Sequence, residues 1–201
     1  IVIVAKTAAN HAALQRTLAP PARTSGGRWA RSEKDYLAVV YGRVNVARGD
    51  IDLRLARDRS DRRKMVASAT TGAPSLTRFE RIGRVAAPRA GLSLLRCRLV
   101  TGRMHQIRVH LSARGWPLVG DPTYGASRSA DITDPVLAAA LRAFPRQALH
   151  AWRVAFTHPV TGERLRLEAP VPDDLHGLLS ATGLSMVRGV RLQADLAAPG
   201  I

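Results

Sequence analysis

The sequence is poor in the features that mark secreted and membrane proteins. It contains one cysteine, Cys97, in 201 residues, so no disulfide within the chain can form. Aromatic residues make up 4%, and no apolar run approaches the roughly 20 residues that cross a bilayer. No secretory signal stands at the amino terminus. We therefore expect no membrane insertion and a reduced, cytosolic (cytoplasmic) compartment.

The residue patterns of several common chemistries are also missing. The six histidines are scattered and recur at no metal-ligand spacing. The segment Thr-Ser-Gly-Gly at residues 24–27 lacks the lysine and the following helix of a phosphate-binding loop. The Gly-x-Ser-x-Gly pattern of α/β-hydrolases does not occur. The sequence therefore contains no pattern typical of a metal centre, of a phosphate-binding loop or of the nucleophile turn of α/β-hydrolases.

Positive charge is abundant and lies on one side of the chain. The formal net charge is +16, from 31 lysines and arginines against 15 acidic residues. Residues 1–118 hold 23 basic and 7 acidic residues, whereas residues 119–201 hold 8 of each. This excess predicts a surface for a polyanion, with RNA or DNA as the first candidate. An arginine-rich proteome is the alternative, because 28 of the 31 basic residues are arginine.

Apolar spacing predicts alternating strands and short helices. Residues 1–5 are all apolar, which predicts a strand buried on both faces, and Thr7 is a candidate cap for a helix over residues 8–18. Further helices are predicted at residues 103–114 and 135–144, and strands at 36–41, 51–55, 76–82, 92–100, 151–157 and 164–168. Short connections between the strands favour an α+β fold, with a mixed, largely antiparallel sheet and flanking helices.

The densest group of chemically capable residues lies at the predicted helix 103–114. Two histidines, two arginines and one glutamine fall within eight residues, at positions 103, 105, 106, 108 and 110. Met104, Ile107 and Leu111 share its apolar face. An arginine there is suited to holding a carboxylate or phosphate in a fixed orientation. A solvated basic helix face is the alternative, and the clustering favours a site.

These residues resemble the RluA-type family of RNA pseudouridine synthases. Residues 101–110 read T-G-R-M-H-Q-I-R-V-H against the family's T-G-R-T-H-Q-I-R-x-H, and residues 115–125 are similar to its G-x-P-I-x-G-D-x-x-Y-G. Residues 1–7, 33–42 and 149–170 are similar, in the same order, to the family's V-V-A-K-T, E-K-x-Y-x-A-x-V-x-G and L-H-A … F-x-H-P … A-P. Five co-linear matches are far more specific than one short motif.

The resemblance implies an isomerase that converts uridine in RNA to pseudouridine after flipping the base out of the stack. It implies no cofactor and no metal, RNA (ribosomal or transfer) as the partner, and a monomer. Residues 1–175 are expected to form the catalytic domain and residues 176–201 a C-terminal tail. The implied catalytic residues are Tyr36, which stacks on the flipped uracil, and Arg108, which pairs with the catalytic aspartate. Asp121 is expected to anchor a turn. The residues expected to bind RNA, or to hold the pocket through structural hydrogen bonds, are Arg103, His105, Gln106 and His110.

The sequence departs from the family in one essential motif. The family's nucleophilic aspartate lies in H-R-L-D-x-x-[ST]-G, directly before the strand that residues 1–7 resemble, and this sequence does not contain it. We therefore expect a fragment that lacks the N-terminal part of the domain and is inactive alone, within an active parent protein. The alternative is a relative that binds RNA and does no chemistry. Met104 also stands where the family has Thr or Ser.

Overall fold

The computed structural model describes residues 1–19, 32–85, 91–125, 132 and 134–184. The helices are α1 (Ala8–Leu18), α2 (Gln106–Ala113), α3 (Pro135–Ala143) and α4 (Asp173–Thr182). The strands are β1 (Ser32–Tyr41), β2 (Arg48–Asp52), β3 (Arg54–Arg57), β4 (Met65–Ser68), β5 (Leu76–Val85), β6 (Leu92–Leu99), β7 (Leu149–Thr157) and β8 (Arg164–Glu168). Among the described residues, no helix is long and apolar enough to cross a membrane.

Six strands form one sheet in the order β2-β5-β6-β1-β7-β8. Every ladder between these neighbours is antiparallel. The strands β3 and β4 form a separate antiparallel hairpin, in which Arg57 faces Met65. The structure thus has the predicted largely antiparallel sheet with flanking helices, and none of these ladders is parallel.

Alternation along the central strands gives the sheet an apolar core on each face. On one face, Val39 and Tyr41 of β1 pack with leucines of β6, α3 and α4. On the other, Ala38 and Val40 pack with Ile107 of α2. Helix α2 therefore lies on the face opposite to α3 and α4. The half-buried Tyr36 packs against the second core, on the side of α2.

Several predicted elements are present with small changes in their bounds. Helix α1 begins after Thr7, whose hydroxyl accepts a hydrogen bond from Asn10 N at 3.2 Å. The strands β1, β5, β6, β7 and β8 and the helix α3 lie where apolar spacing predicts them. Residues 20–31, which include the Thr-Ser-Gly-Gly segment, lie outside the described residues.

Two expectations need correction. Residues 1–5 do not form a strand, and Val2 and Val4 are 86% and 79% exposed. The Ile1 amino group donates to Ala151 O at 3.3 Å, but no ladder with β7 follows, so the apolar run stays unpaired.

The second correction concerns the expected tail after residue 175. Helix α4 continues to Thr182, and Leu175, Leu178 and Leu179 are buried in the first core. Each buried leucine contributes about 2 kcal/mol of transfer free energy, which keeps the helix packed on the sheet. The rest of the expected tail, residues 185–201, lies outside the described residues.

Candidate active site

Helix α2 begins at Gln106, three residues later than predicted, because the Gln106 side chain organises the turn before it. Its Oε1 accepts hydrogen bonds from Thr101 Oγ1 at 2.7 Å and Arg103 N at 3.0 Å. Its Nε2 donates to Leu76 O and Thr77 Oγ1, each at 3.0 Å. The amide thus uses its full bonding capacity while only 2% exposed. It ties the start of α2 to strand β5.

His110 extends this buried network. Its Nδ1 lies 3.0 Å from Thr77 Oγ1, and its Nε2 lies 3.3 Å from Leu53 O. Because a carbonyl only accepts, Nε2 carries the proton and Nδ1 accepts from the threonine hydroxyl. Burial lowers the pKa of His110, which keeps the ring neutral. Of the two roles left open for Gln106 and His110, their burial supports the structural one, since neither side chain reaches the surface.

Arg108 and Asp121 form a buried, bidentate ion pair. Arg108 Nε donates to Asp121 Oδ2 at 2.8 Å, and Nη2 donates to Oδ1 at 2.7 Å. Asp121 Oδ1 also accepts from the backbone N–H groups of Thr123 and Tyr124. Burial alone raises the pKa of Asp121, but Arg108 and these two N–H groups together hold it below its usual value. Asp121 therefore anchors the turn after α2, and also orients Arg108.

His105 precedes α2 in a strained backbone conformation, the left-handed region at φ 53°. Its Nδ1 lies 2.9 Å from the hydroxyl of Tyr124, and the two rings meet edge to face at 5.7 Å. Burial and the charge of Arg108 lower the pKa of His105. His105 is half-buried, whereas Arg103 is exposed. Of the four residues expected to bind RNA or hold the pocket, Arg103 is the exposed one.

Two further residues of the candidate site, Lys34 and Tyr36, lie on strand β1. Burial raises the pKa of Tyr36, so its phenol stays protonated at neutral pH. Lys34 Nζ donates to Leu18 O at 2.9 Å, and burial lowers its pKa. A Cβ atom on Gly102 would meet Lys34 Nζ at 3.8 Å, so the lysine lies beside this turn. Sequence reasoning left Lys34 out, although the matched E-K-x-Y motif contains it.

A basic hairpin, defined here as residues 54–68, projects beside α2. At its tip, Asp58 accepts from Ser60 and Asp61 N, and Asp61 pairs with Arg63. Both carboxylates are thus used to build the turn. Arg59 and Arg62 remain exposed at the tip. The hairpin therefore presents positive charge to solvent on the side of α2.

Comparisons with known proteins show that the chain is similar to RNA pseudouridine synthases. A sequence model of the RNA pseudouridylate synthase family matches residues 1–113. Ribosomal large subunit pseudouridine synthase D of Xanthomonas campestris pv. campestris is 44% identical over 161 residues, or 79% of this chain and 46% of that protein. The protein of the same name from Zymomonas mobilis is 36% identical over 92% of this chain and 53% of its own length. The chain spans about half the length of these curated relatives.

Solved structures support the fold. Human RNA Pseudouridylate Synthase Domain Containing 1 superposes with a TM-score of 0.58 at 29% identity, over 75% of this chain and 59% of that one. Human RNA Pseudouridylate Synthase Domain Containing 4 gives a TM-score of 0.55 at 21% identity, over 76% and 63%. Both likenesses confirm the predicted α+β class.

Proposed function

The chain belongs to the RNA pseudouridylate synthase family, and we propose that its parent protein isomerises uridine to pseudouridine in RNA. Membership confirms the resemblance seen in the motifs. The observation that carries the proposal in this structure is the fixed guanidinium of Arg108, on the same face of the sheet as Tyr36. We also propose a cytoplasmic location, with which an RNA substrate and a chain of one cysteine agree.

The proposed reaction is an isomerisation that needs no oxidant or reductant. The bond between ribose C1′ and base N1 breaks, the base turns, and C1′ bonds to C5. The proton on C5 leaves to solvent and N1 takes one up, so atoms and charge balance. The nucleophile is the family's aspartate in the H-R-L-D motif, which these 201 residues do not contain.

Arg108 is suited to hold that nucleophile ionised. Asp121 takes the Nε and Nη2 donors of its guanidinium, and among the described residues Nη1 has no hydrogen-bond partner. Within that part of the chain, Nη1 is available to donate to a second carboxylate. A nearby positive charge keeps a carboxylate deprotonated in a desolvated pocket. We assign this role to Arg108, with Asp121 as the group that fixes its orientation.

Tyr36 is suited to contact the flipped base. Its ring lies in the core beside α2, and burial raises its pKa, so it stays a neutral phenol. A neutral ring stacks on uracil without repelling the developing negative charge of the base. We assign it this stacking role and, in removing the C5 proton, the part of a relay: the phenol oxygen accepts that proton while its own O–H hydrogen passes to solvent, so Tyr36 ends as the same neutral phenol.

We assign RNA contacts to Arg103 and to the tip of the basic hairpin, where arginines are exposed to solvent. Contacts of this kind bind phosphates and position the RNA without reading its sequence. Relatives named for the large ribosomal subunit favour large-subunit ribosomal RNA as the substrate, and transfer RNA is the alternative.

The test uses the full-length gene product and a large-subunit ribosomal RNA transcript labelled with 5-tritiated uridine, with tritium release as the measure of turnover. Arg108→Lys keeps the charge but loses the bidentate geometry, and should lower kcat by about a hundredfold. Tyr36→Phe should lower kcat at least about a hundredfold if the hydroxyl takes part in proton removal. Both variants should bind the transcript as the wild type does.

Two matched controls separate these roles from general damage. Arg114→Lys changes an exposed arginine at the end of α2, and Tyr41→Phe removes a hydroxyl on the opposite face of the sheet. Both should keep the wild-type rate. Absence of tritium release by the wild type from ribosomal and transfer RNA alike would contradict the proposed function and favour the RNA-binding alternative.

A further inference from the structure

We propose that Tyr124 is a positioning residue that couples the basic hairpin to Arg108, so that RNA held by the hairpin is placed correctly against the reacting groups. The inference rests on the proposed function and adds a residue to it. Tyr124 is half-buried in the turn after α2. Its hydroxyl, its ring and its backbone each contact a different part of the site.

The hydroxyl joins the hairpin to the start of α2. Met65 N donates to the Tyr124 oxygen at 2.8 Å, and the same oxygen lies 2.9 Å from His105 Nδ1. The phenol oxygen keeps a second lone pair and its own hydrogen, so it either donates to His105 Nδ1 or accepts from it, according to the tautomer of the ring. Burial and Arg108 lower the pKa of His105, so the ring is neutral at neutral pH and bonds the phenol in either tautomer. One chain of hydrogen bonds therefore runs from Met65 through Tyr124 to His105.

The contact with Met65 determines where the hairpin tip lies. Met65 is the first residue of β4 and follows Lys64 at the end of the basic tip. The loop itself is held by local contacts, since Asp58 N donates to Lys64 O at 3.0 Å and Arg57 Nη1 donates to Arg62 O at 2.8 Å. These bonds hold the loop together, and the Tyr124 hydroxyl joins its return strand to the helix side of the site.

The ring and backbone of Tyr124 hold Arg108. The Arg108 guanidinium carbon lies 4.8 Å from the centre of the Tyr124 ring, a cation–π contact. Tyr124 N donates to Asp121 Oδ1 at 3.1 Å, and Ser112 Oγ of α2 donates to Tyr124 O at the same distance. Tyr124 therefore shares a carboxylate with Arg108 and also packs against its guanidinium. The hydroxyl thus binds the hairpin, whereas the ring packs against Arg108.

This division predicts different kinetic effects for two substitutions at one position. In the full-length gene product, Tyr124→Phe removes only the hydroxyl and should raise KM for the ribosomal transcript about fivefold, with kcat within about twofold of the wild type. Tyr124→Leu also removes the ring and should lower kcat about fivefold further. A purely structural role would lower the amount of active enzyme in both variants and leave KM unchanged.

Two further comparisons test the inference. Tyr41→Phe, which deletes the same atom in the opposite core, should change neither parameter. Combining Tyr124→Phe with Arg59→Gln and Arg62→Gln should raise KM by less than the product of the separate effects, because the hydroxyl acts through the hairpin. The inference is overturned if Tyr124→Phe leaves KM at the wild-type value, if it lowers kcat as much as Tyr124→Leu does, or if the effects on KM multiply.

Failure of the proposed function gives a different result. If the wild type releases no tritium from any RNA, the proposed function is refuted. The role of the Tyr124 contact with the hairpin in RNA binding is then tested separately, by comparing the dissociation constants of the wild type and Tyr124→Phe for the same transcript. About fivefold weaker binding by Tyr124→Phe supports the contact, and equal binding overturns it.

Discussion

Removal of both partners of the Arg108–Asp121 ion pair should cost less free energy of unfolding than the sum of the two single removals. The Asp121 side chain is 0% exposed and that of Arg108 is 12% exposed, so solvent screens the pair little. Arg108→Met leaves a buried carboxylate with only two backbone N–H groups as partners. Asp121→Asn leaves a largely buried guanidinium facing a neutral amide.

The expected magnitudes follow from the cost of an unpaired buried charge. Arg108→Met should lower the free energy of unfolding by about 3–5 kcal/mol, and Asp121→Asn by about 3 kcal/mol. The double variant buries no unpaired charge, so it should lose about 2 kcal/mol less than the sum of the single losses.

The contribution of Asp121 to stability depends on pH in a direction that its pKa shift determines. The pKa of Asp121 is lowered on folding, so its stabilising contribution is present above about pH 4 and is lost as the pH falls through the folded-state value.

Urea unfolding of the full-length gene product at neutral pH, followed by tryptophan fluorescence, measures these losses. Trp116 lies just after α2 and contacts Phe79, so it reports on this region. Arg63→Met is the control, because that arginine pairs with Asp61 in solvent and its removal should leave the transition midpoint unchanged. A loss below about 1 kcal/mol for Arg108→Met, or strict additivity in the double variant, would refute the reasoning.

Three further predictions follow from the buried network and the hairpin. Gln106→Ala should lower the free energy of unfolding, measured in urea, by about 3 kcal/mol. The substitution leaves hydrogen-bonding groups of β5 and of the turn before α2 without partners. His110 is buried neutral with a lowered pKa, so wild-type stability should fall as the pH drops below about 6.5, and His110→Gln should lose less stability over that range. Arg59→Gln and Arg62→Gln should each weaken RNA binding and reduce the slope of log Kd against log salt by about 0.7–0.9 per lost phosphate contact, whereas Arg166→Gln on the far edge strand β8 should not.

Local pattern predicted much of the fold because most elements are determined by nearby residues. Local runs of apolar residues predicted β1, β5 and β6, and Thr7 marked the start of α1. Residues 1–5 fit a strand pattern equally well, but a strand also needs a partner edge, which a single chain segment does not reveal. In α4 the signal was present: Leu175, Leu178 and Leu179 have helical spacing, and Gly183 ends the helix.

The candidate site was less predictable because its contacts join distant parts of the chain. The resemblance pointed to Arg108, yet nothing local to α2 indicated that Asp121, thirteen residues later, takes two of its donors. Gln106 looks like a surface residue on a helical projection and is in fact bonded to Leu76 and Thr77. Tyr124 lay within a matched motif, but its bond to Met65 exists only in the folded chain.

The most direct test of the central claim is nucleoside analysis of RNA treated with the full-length gene product. A large-subunit ribosomal RNA transcript would be incubated with the protein, digested to nucleosides and separated by chromatography. The proposed function predicts that uridine is converted to pseudouridine in an amount equal to the tritium released in the parallel assay, and that Arg108→Lys forms about a hundredfold less per unit time. RNA that is bound but contains no pseudouridine would contradict the account.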